Sequence, residues 1–472
     1  MEIQELISFT TIVQQGSFSK ASKKLDYCQG SITVHIKNLE RELGVQLFDR
    51  LGKKVTVIEK NSIGGTCLNV GCIPSKAYLE HAHWLLAAKE ASQYGVTVLN
   101  DNLDFPKLVA RKDQVVATLQ SGIQSSFKQL GITYIAGEAS YISDKTFQVN
   151  GERVSGKSVI LATGSHPFIP PIPGINDVDY LTTDSFFNLK ELPQRLVIIG
   201  GGIISVELAF AMAPLGVDVT VIEVAPTILA TEDDEARSII REKMEQLGIT
   251  ILEGVSIDRV KENAVILADG KSYSYDNLLV ATGRKPNIEL AQMMGLELTE
   301  KGFIKVDSYY ESSQSGVYAI GDLIPGYMLA HVASSEGIKA VRAICRQAEE
   351  PVDNSSVPRS LFTTPEIASF GLSEEEAVQQ GYDISVGQLP YVYNGRAIAS
   401  NSAKGFVKIV SEKRYHLLLG AVIVGPHATD ILQSLIVLKD AEGTLDQLDK
   451  TIFAHPTISE LVQEVARLIL RS

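Results

Sequence analysis

Apolar residues along the first fifty positions recur at helical spacing. Leu6, Phe9 and Val13 fall on one face of a helix over 3–15, Gly16 offers a stop, and Ser17 and Ser19 offer new starts. A third helix is predicted from about 31 to 43, where Ile32, Ile36, Leu39 and Leu43 stand at 4-3-4 spacing before Gly44 closes it. Three short helices in this space suit a small all-α DNA-binding unit. After Lys54 the texture changes to an alternating VTVIE run and then to a glycine- and cysteine-rich stretch over 64–71, where an α/β region begins. Strand-like runs at 159–162, 196–199, 219–223 and 277–281 alternate with helical stretches, the pattern of parallel sheets with crossover helices. Runs at 406–410 and 417–424 pair as strands ahead of a helical tail, which predicts a separate α+β domain.

At 472 residues the chain is long enough for two to four domains, each with its own core and no need of a metal. Its net charge of −13 is uneven: residues 1–54 hold eight Lys/Arg against six Asp/Glu, so the rest of the chain carries −15. A polyanion-binding role is thereby excluded for the bulk of the chain and left open only for the first segment. Four cysteines, Cys28, Cys67, Cys72 and Cys345, are too few and too irregular for a secreted disulfide scaffold. The start MEIQEL has neither a basic region nor an apolar core, so a cytoplasmic location is expected. The richest apolar run, 421–424, is strand-sized, and no membrane insertion is expected.

The sharpest local signal is GGTCLNVGCIPSK, which sets Cys67 and Cys72 five apart at a helix start with Lys76 one turn further on. Two thiols this close can form a disulfide if the first turn is distorted, and a helix N-terminus stabilises the thiolate that exchange requires. In RLVIIGGGIISVELA a buried strand runs into Gly200 and Gly202 and then into a helix carrying Glu207, and a following VTVIE ends on Glu223. Gly200 permits a tight turn, Gly202 lets a pyrophosphate approach the helix N-terminus, and Glu223 can accept hydrogen bonds from a ribose 2′-hydroxyl. Ser205 stands where a third glycine is usual, and no Arg or Lys follows Glu223 before Arg237, which favours NAD over NADP. Near the end, FAHPTISE places His455 five residues before Glu460, an arrangement suited to taking a proton from a dithiol and returning it.

From about Lys54 onward these motifs resemble the pyridine nucleotide-disulfide oxidoreductases, most closely their dihydrolipoyl dehydrogenase branch. The resemblance implies that Cys67 exchanges with substrate and that Cys72 makes a charge-transfer contact with FAD. Lys76 would lie near the flavin N5, paired with Glu207. ATG occurs twice, with Gly164 and Gly283, and resembles the family's strand crossings, Arg284 being in its usual position. GVYAIGD ends on Asp322, which would hold the ribityl chain, and LAHVAS with Ala330 would lie against the isoalloxazine. His455 and Glu460 would be the acid-base dyad supplied by the other subunit of a homodimer. No cysteine follows Cys345, so C-terminal redox pairs are missing, and the acid at Glu223 argues against a glutathione reductase. The implied reaction is oxidation of a dihydrolipoyl dithiol on the acyltransferase of a 2-oxo acid dehydrogenase complex, with hydride passing through FAD to NAD+.

One departure is large. The family opens with a strand, a GxGxxG turn and a helix for the FAD pyrophosphate, and nothing like it lies before Lys54; Gly16, Gly30, Gly44 and Gly52 are too far apart. Glu59, ending the first VTVIE, still resembles the acid that binds the FAD ribose. The space is filled by a stretch resembling a LysR-type helix-turn-helix, whose recognition helix would present Gln29, Thr33 and Lys37 to DNA. Gly30 and Val34 stand where that family commonly has Pro and Arg. The expected architecture is α/β, with two Rossmann-like dinucleotide-binding domains, the first incomplete, an α+β dimerisation domain, and an N-terminal all-α helix-turn-helix. Its divisions are the helix-turn-helix over 1–53, a partial FAD domain over 54–150, an NAD domain over 151–276, the FAD continuation over 277–350 and the dimerisation domain over 351–472. The rival readings are a DNA-binding regulator and an inactive chimera.

Overall fold

A computed structural model of the chain describes residues 3–15, 17–43, 55–98, 103–347 and 349–471, without the side chains of Ile3, Ser19, Gln29 and Leu43. The stops expected at Gly16 and Gly44, the junction at Gly52 and Lys54, and the Gln29 side chain lie outside the described residues. Two compact units emerge, 1–57 with 127–135, and 58–126 with 136–472.

The first unit holds three helices, α1 (Ile3–Gln15), α2 (Phe18–Leu25) and α3 (Gln29–Leu43). Ser17 caps α2 by accepting the Lys20 N–H, and Asp26 ends it in the left-handed region at φ 55°. Ile12, Ala21, Ile32 and Ile36 form the core, with Phe9, Phe18 and Leu25 against it. The face expected of α1 is corrected here: Phe9 packs inward, but Leu6 and Val13 are 40% and 59% exposed. Two neighbouring stripes of α1 have helical spacing, and the Ser8 Oγ to His35 Nδ1 hydrogen bond, at 2.9 Å, turns the Ser8–Ile12 stripe toward α3. On α3, Ile32, Ile36 and Leu39 are buried, and the helix starts two residues ahead of the expected Ser31.

The second unit opens with α4 (Gly65–Val70), α5 (Cys72–Glu90) and the first 22 residues of α6 (Phe105–Leu130), up to Ser126. Its centre is a five-stranded parallel sheet in the order Thr250–Leu252, Asp218–Ile222, Arg195–Ile199, Asn277–Val280, Leu181–Thr182, with Ile199 in register with Ile222 and Val280. Leu196, Val197, Ile198 and Ile199 are all buried because both faces of the sheet are covered. Leu196 and Ile198 pack with Val206, Phe210 and Ile240 of the helices, and Val197 and Ile199 pack with Val260, Val265 and Leu267 of a three-stranded antiparallel sheet, Ile257–Lys261, Ala264–Leu267 and Ser272–Ser274. The helix α7 (Ile203–Met212) follows the central strand and packs on α5, and α8 (Asp234–Gln246) follows the next strand. Tyr78, Phe105, Phe186 and Phe187 join Val206 and Phe210 in the same core.

The other dinucleotide-type module is built differently. Val159–Leu161 pairs in parallel with Val317–Ala319, while Thr56–Glu59 pairs with Thr133–Ala136, each as a two-stranded sheet among the described residues. Parallel strands normally stand inside larger covered sheets. A short helix α9 (Glu289–Met293) and the 15-residue α10 (Ala330–Ile344) complete this region. The last part is a five-stranded antiparallel sheet in the order Arg359–Leu361, Glu366–Gly371, Leu418–Gly425, Phe406–Glu412, Ile384–Pro390. It carries α11 (Glu374–Gln379) and α12 (Gly395–Ala399), and α13 (Ala428–Asp440), α14 (Leu445–Lys450) and α15 (Glu460–Leu470) bury Leu432, Leu448 and Val465 against Ile409 and Ile423. Among the described residues no helix is long and apolar enough to cross a membrane, and no cluster of His, Cys, Asp and Glu could hold a metal ion.

Candidate active site

Cys67 sits in α4 and Cys72 is the first residue of α5, with Gly71 as the break between the two helices. A Cβ at Gly71 would lie 3.0 Å from the Thr66 carbonyl oxygen and 3.1 Å from the Cys67 Cα, so glycine lets the two helical turns close on each other. The Asn69 side-chain amide donates to the carbonyls of Ile63 (3.0 Å) and Gly65 (2.8 Å) and pins the turn from inside. Both thiols are free, Cys67 half-buried and Cys72 exposed. Cys72 is drawn down to about 6 by the hydrogen bond from Cys67, against the effect of burial and with help from Lys76. That same contact with Cys72, followed by burial, pushes the Cys67 thiol strongly up. One proton is thus held on Cys67 and a thiolate favoured at Cys72.

Lys76, one turn into α5, donates to both carboxylate oxygens of Glu207 on α7, at 2.8 and 3.0 Å. Glu207 is 4% exposed and also accepts the Phe362 N–H at 2.9 Å, while the Lys76 ammonium stands 4.4 Å over the Phe362 ring. A charge buried this deeply needs both partners.

Asp322 accepts the Ser165 hydroxyl at 2.5 Å, and Ser165 accepts Nε of Arg284 at 2.7 Å. Arg284 also donates to the Ser165 carbonyl, Thr183 and Asp184, which ties both ATG crossings to the edge of the parallel sheet. Gly164 and Gly283 take positive φ values of 67° and 108° at those crossings. Glu336 on α10 is buried and accepts the Gly321 N–H at 2.6 Å; burial, then the charge of Asp322, push its carboxyl up to about 7 against that hydrogen bond. Ala330 opens α10, which packs on the Gly321–Leu323 turn.

At the second glycine turn, Gly200 has φ 110° and a Cβ there would stand 2.4 Å from the Ala281 carbonyl oxygen. Gly202 caps α7 without a side chain, and a Cβ there would meet nothing. Ser205, where a third glycine is usual, is buried and donates to the Ala281 carbonyl at 3.3 Å. Glu223 accepts the N–H groups of Gly201 (2.5 Å) and Ala225 (2.6 Å). A cavity of about 180 Å³ opens here, walled by Gly201, Gly202, Glu223, Ala225, Thr227 and Thr231.

His455 is largely exposed, and its Nδ1 meets Glu460 Oε1 at 2.9 Å. The other oxygen of Glu460 accepts the Thr457 N–H at 2.8 Å; that bond first, and His455 next, hold its carboxyl below the usual range. Buried Asn394 donates to the Thr457 carbonyl at 2.9 Å and steadies the turn. Within the single chain neither Cys67 nor Cys72 is hydrogen-bonded to this pair. Glu59 accepts the Asn61 N–H at 2.8 Å, a local turn contact. Of the residues expected to face DNA, Thr33 is half-buried and Lys37 exposed on α3, beside Val34 at 54% exposure.

Residues 44–337 match the pyridine nucleotide-disulphide oxidoreductase family, and residues 357–466 match its dimerisation domain. The chain belongs to that family. Dihydrolipoyl dehydrogenase of Bacillus subtilis is 37% identical over 443 residues, covering 88% of this chain and 93% of the relative. That of Geobacillus stearothermophilus is 36% identical, with 89% and 92% covered. The crystal structure of LpdA from Mycobacterium tuberculosis is similar with a TM-score of 0.82 and 25% identity, over 88% of this chain and 93% of that one. The HOCl-induced flavoprotein disulfide reductase RclA of Escherichia coli is similar with a TM-score of 0.80 and 28% identity, over 92% and 97%. Residues 3–58 match the bacterial regulatory helix-turn-helix proteins of the lysR family.

FAD and NAD are the cofactors of this family of enzymes. The open cavity, the bare N-terminus of α7 and the Glu223 carboxylate fit an NAD. For FAD the redox end fits: an exposed Cys72, Lys76 held beside it, and Asp322 at the mouth of the Gly321 turn. The phosphate end has no counterpart, since no strand, GxGxxG turn and helix precede Glu59 in the sequence.

Several partners in this arrangement escaped the sequence reading. Ser165 directly follows ATG, as Arg284 does in the second copy, and that parallel was a readable signal. Phe362, Thr183 and Asp184 had none, because each meets its partner 100 residues or more away.

Proposed function

We propose that this chain is a cytoplasmic, homodimeric disulfide oxidoreductase that oxidises a protein-bound dihydrolipoyl dithiol, with NAD+ as the final acceptor. The observation that carries the reading is the Cys67–Gly71–Cys72 break with the Lys76–Glu207 pair beside it. In the oxidised protein the two cysteines form a disulfide. A substrate thiolate attacks Sγ of Cys67, the S–S bond breaks, and Cys72 leaves as a thiolate favoured by Lys76. The second substrate thiol gives its proton to His455, oriented by Glu460, and displaces Cys67 from the mixed disulfide. Substrate leaves as a disulfide and the cysteine pair keeps two electrons.

FAD, when bound, supplies the two-electron carrier between the reduced cysteines and NAD+. Asp322, Ala330, Gly164, Glu59 and Lys76, with Glu207 as the partner of Lys76, would hold FAD, Gly200, Gly202 and Glu223 would hold NAD, and Gly283 and Arg284 would set the second strand crossing. The matched dimerisation domain, which contains His455 and Glu460, supports the dyad's acting across a dimer. The partner proposed is a lipoyl-bearing acyltransferase of a 2-oxo acid dehydrogenase complex, by analogy with the relatives named dihydrolipoyl dehydrogenase.

The visible absorption spectrum of the purified chain, before and after dithiol reduction, tests this reading. A flavin spectrum that gains a long-wavelength band supports it; a colourless protein overturns it. A second reading, DNA binding by α1–α3, is favoured by the lysR-family match and by exposed Lys37 on α3. It requires a salt-sensitive shift of a duplex probe.

A further inference from the structure

We propose that Arg241 and Glu253 decide which nicotinamide dinucleotide the cavity beside Glu223 accepts, with Glu253 masking an arginine that would otherwise serve a 2′-phosphate. The inference rests on the assignment of that cavity to NAD.

A 2′-phosphate adds close to two negative charges and needs a cation within reach. The cavity wall instead shows it the carboxylate of Glu223, whose own oxygens are taken by the Gly201 and Ala225 N–H groups. Arg241 on α8 lies one residue behind the wall, with one terminal nitrogen 3.2 Å from Oγ1 of the cavity-lining Thr227. Both terminal nitrogens are engaged by Glu253, one at 2.6 Å from Oε1 and the other on Oε2. Such a fork-on-fork pair is neutral as seen from the cavity.

Glu253 is held in that position by more than its arginine. Its Oε1 accepts the Ile228 N–H at 2.6 Å and faces the Thr227 hydroxyl at 3.2 Å, so the carboxylate is built into the loop that walls the cavity. Its side chain is 14% exposed against 33% for Arg241, which leaves the guanidinium as the member able to turn outward. Arg237, also on α8, is paired with Asp234. NAD selectivity then comes from two acids, Glu223 at the ribose and Glu253 behind Thr227.

Isothermal titration of the full chain with NADH and with NADPH tests this. Glu253→Gln keeps the acceptor for the Ile228 N–H and removes the charge. It should tighten NADPH binding by at least about tenfold, ~1.4 kcal/mol, and leave NADH within about threefold. Adding Arg241→Met should abolish the gain. Glu253→Ser, a smaller neutral variant, should reproduce it if Glu253→Gln fails to fold. A wild-type chain that binds NADH, with neutral variants that bind NADPH no better, overturns this proposal alone, as does a gain that survives Arg241→Met. A wild-type chain that binds no NADH overturns the cavity's assignment and this proposal with it.

Discussion

Replacing Cys67 by alanine should raise the Cys72 thiol well above its present value in the reduced protein. Cys72 stands at about 6, and the largest cause is the hydrogen bond from Cys67. At pH 7 a thiol at about 6 is roughly nine-tenths thiolate, whereas one near 9 is roughly one-hundredth. Lys76 alone cannot make up the loss, because its ammonium is committed to Glu207 at 2.8 and 3.0 Å and the Glu207 charge itself opposes the thiolate. Burial opposes it as well. The sign is therefore fixed: the wild-type thiolate forms as pH rises through about 6, and in Cys67→Ala the same rise should occur at least about one unit higher. Thiolate absorbance near 240 nm against pH, with iodoacetamide alkylation of Cys72 as a second readout, measures both curves. A wild-type curve centred near 9, or two superimposable curves, would refute the assignment of the shared proton to Cys67.

Lys76→Met leaves the Glu207 carboxylate buried with only the Phe362 N–H, and should lower stability by about 3 kcal/mol, seen in denaturant melts. The double change Lys76→Met with Glu207→Gln should recover most of that loss. Gly200→Ala forces a Cβ to 2.4 Å from a backbone oxygen at a φ of 110°, and should abolish NADH binding in a calorimetric titration while leaving thiol alkylation of Cys72 unchanged. His455→Gln should slow the reduction of the cysteine disulfide by substrate dithiol by about 10²-fold to 10⁴-fold in stopped flow. Its rate should then follow only the ionisation of the substrate thiol, and a wild-type pH profile in this variant would remove His455 from the mechanism.

Read alone, the sequence determined whatever depends on spacing along the chain. The five-residue step from Cys67 to Cys72, the Gly200–Gly202 turn followed by Glu223, and the buried stripe Ile32, Ile36, Leu39 of α3 are all local, because helix and strand periods are properties of a short stretch of backbone. The absence of a GxGxxG turn before Glu59 was equally legible, and among the described residues Thr56–Glu59 pairs only with Thr133–Ala136.

Only the tertiary structure decided between local alternatives and chose long-range partners. It turned the Ser8–Ile12 stripe of α1 inward instead of Leu6 and Val13, since a helix with two adjacent candidate faces is oriented by what it packs against. It split the cysteine segment into two helices at Gly71, and it set the bidentate geometry and depth of the Lys76–Glu207 contact across 131 residues of chain. It joined Ser165 to Asp322 and Arg284, and Arg241 to Glu253. Charge pairing at such separations depends on how whole elements are placed in space, and no periodicity in the sequence encodes that placement.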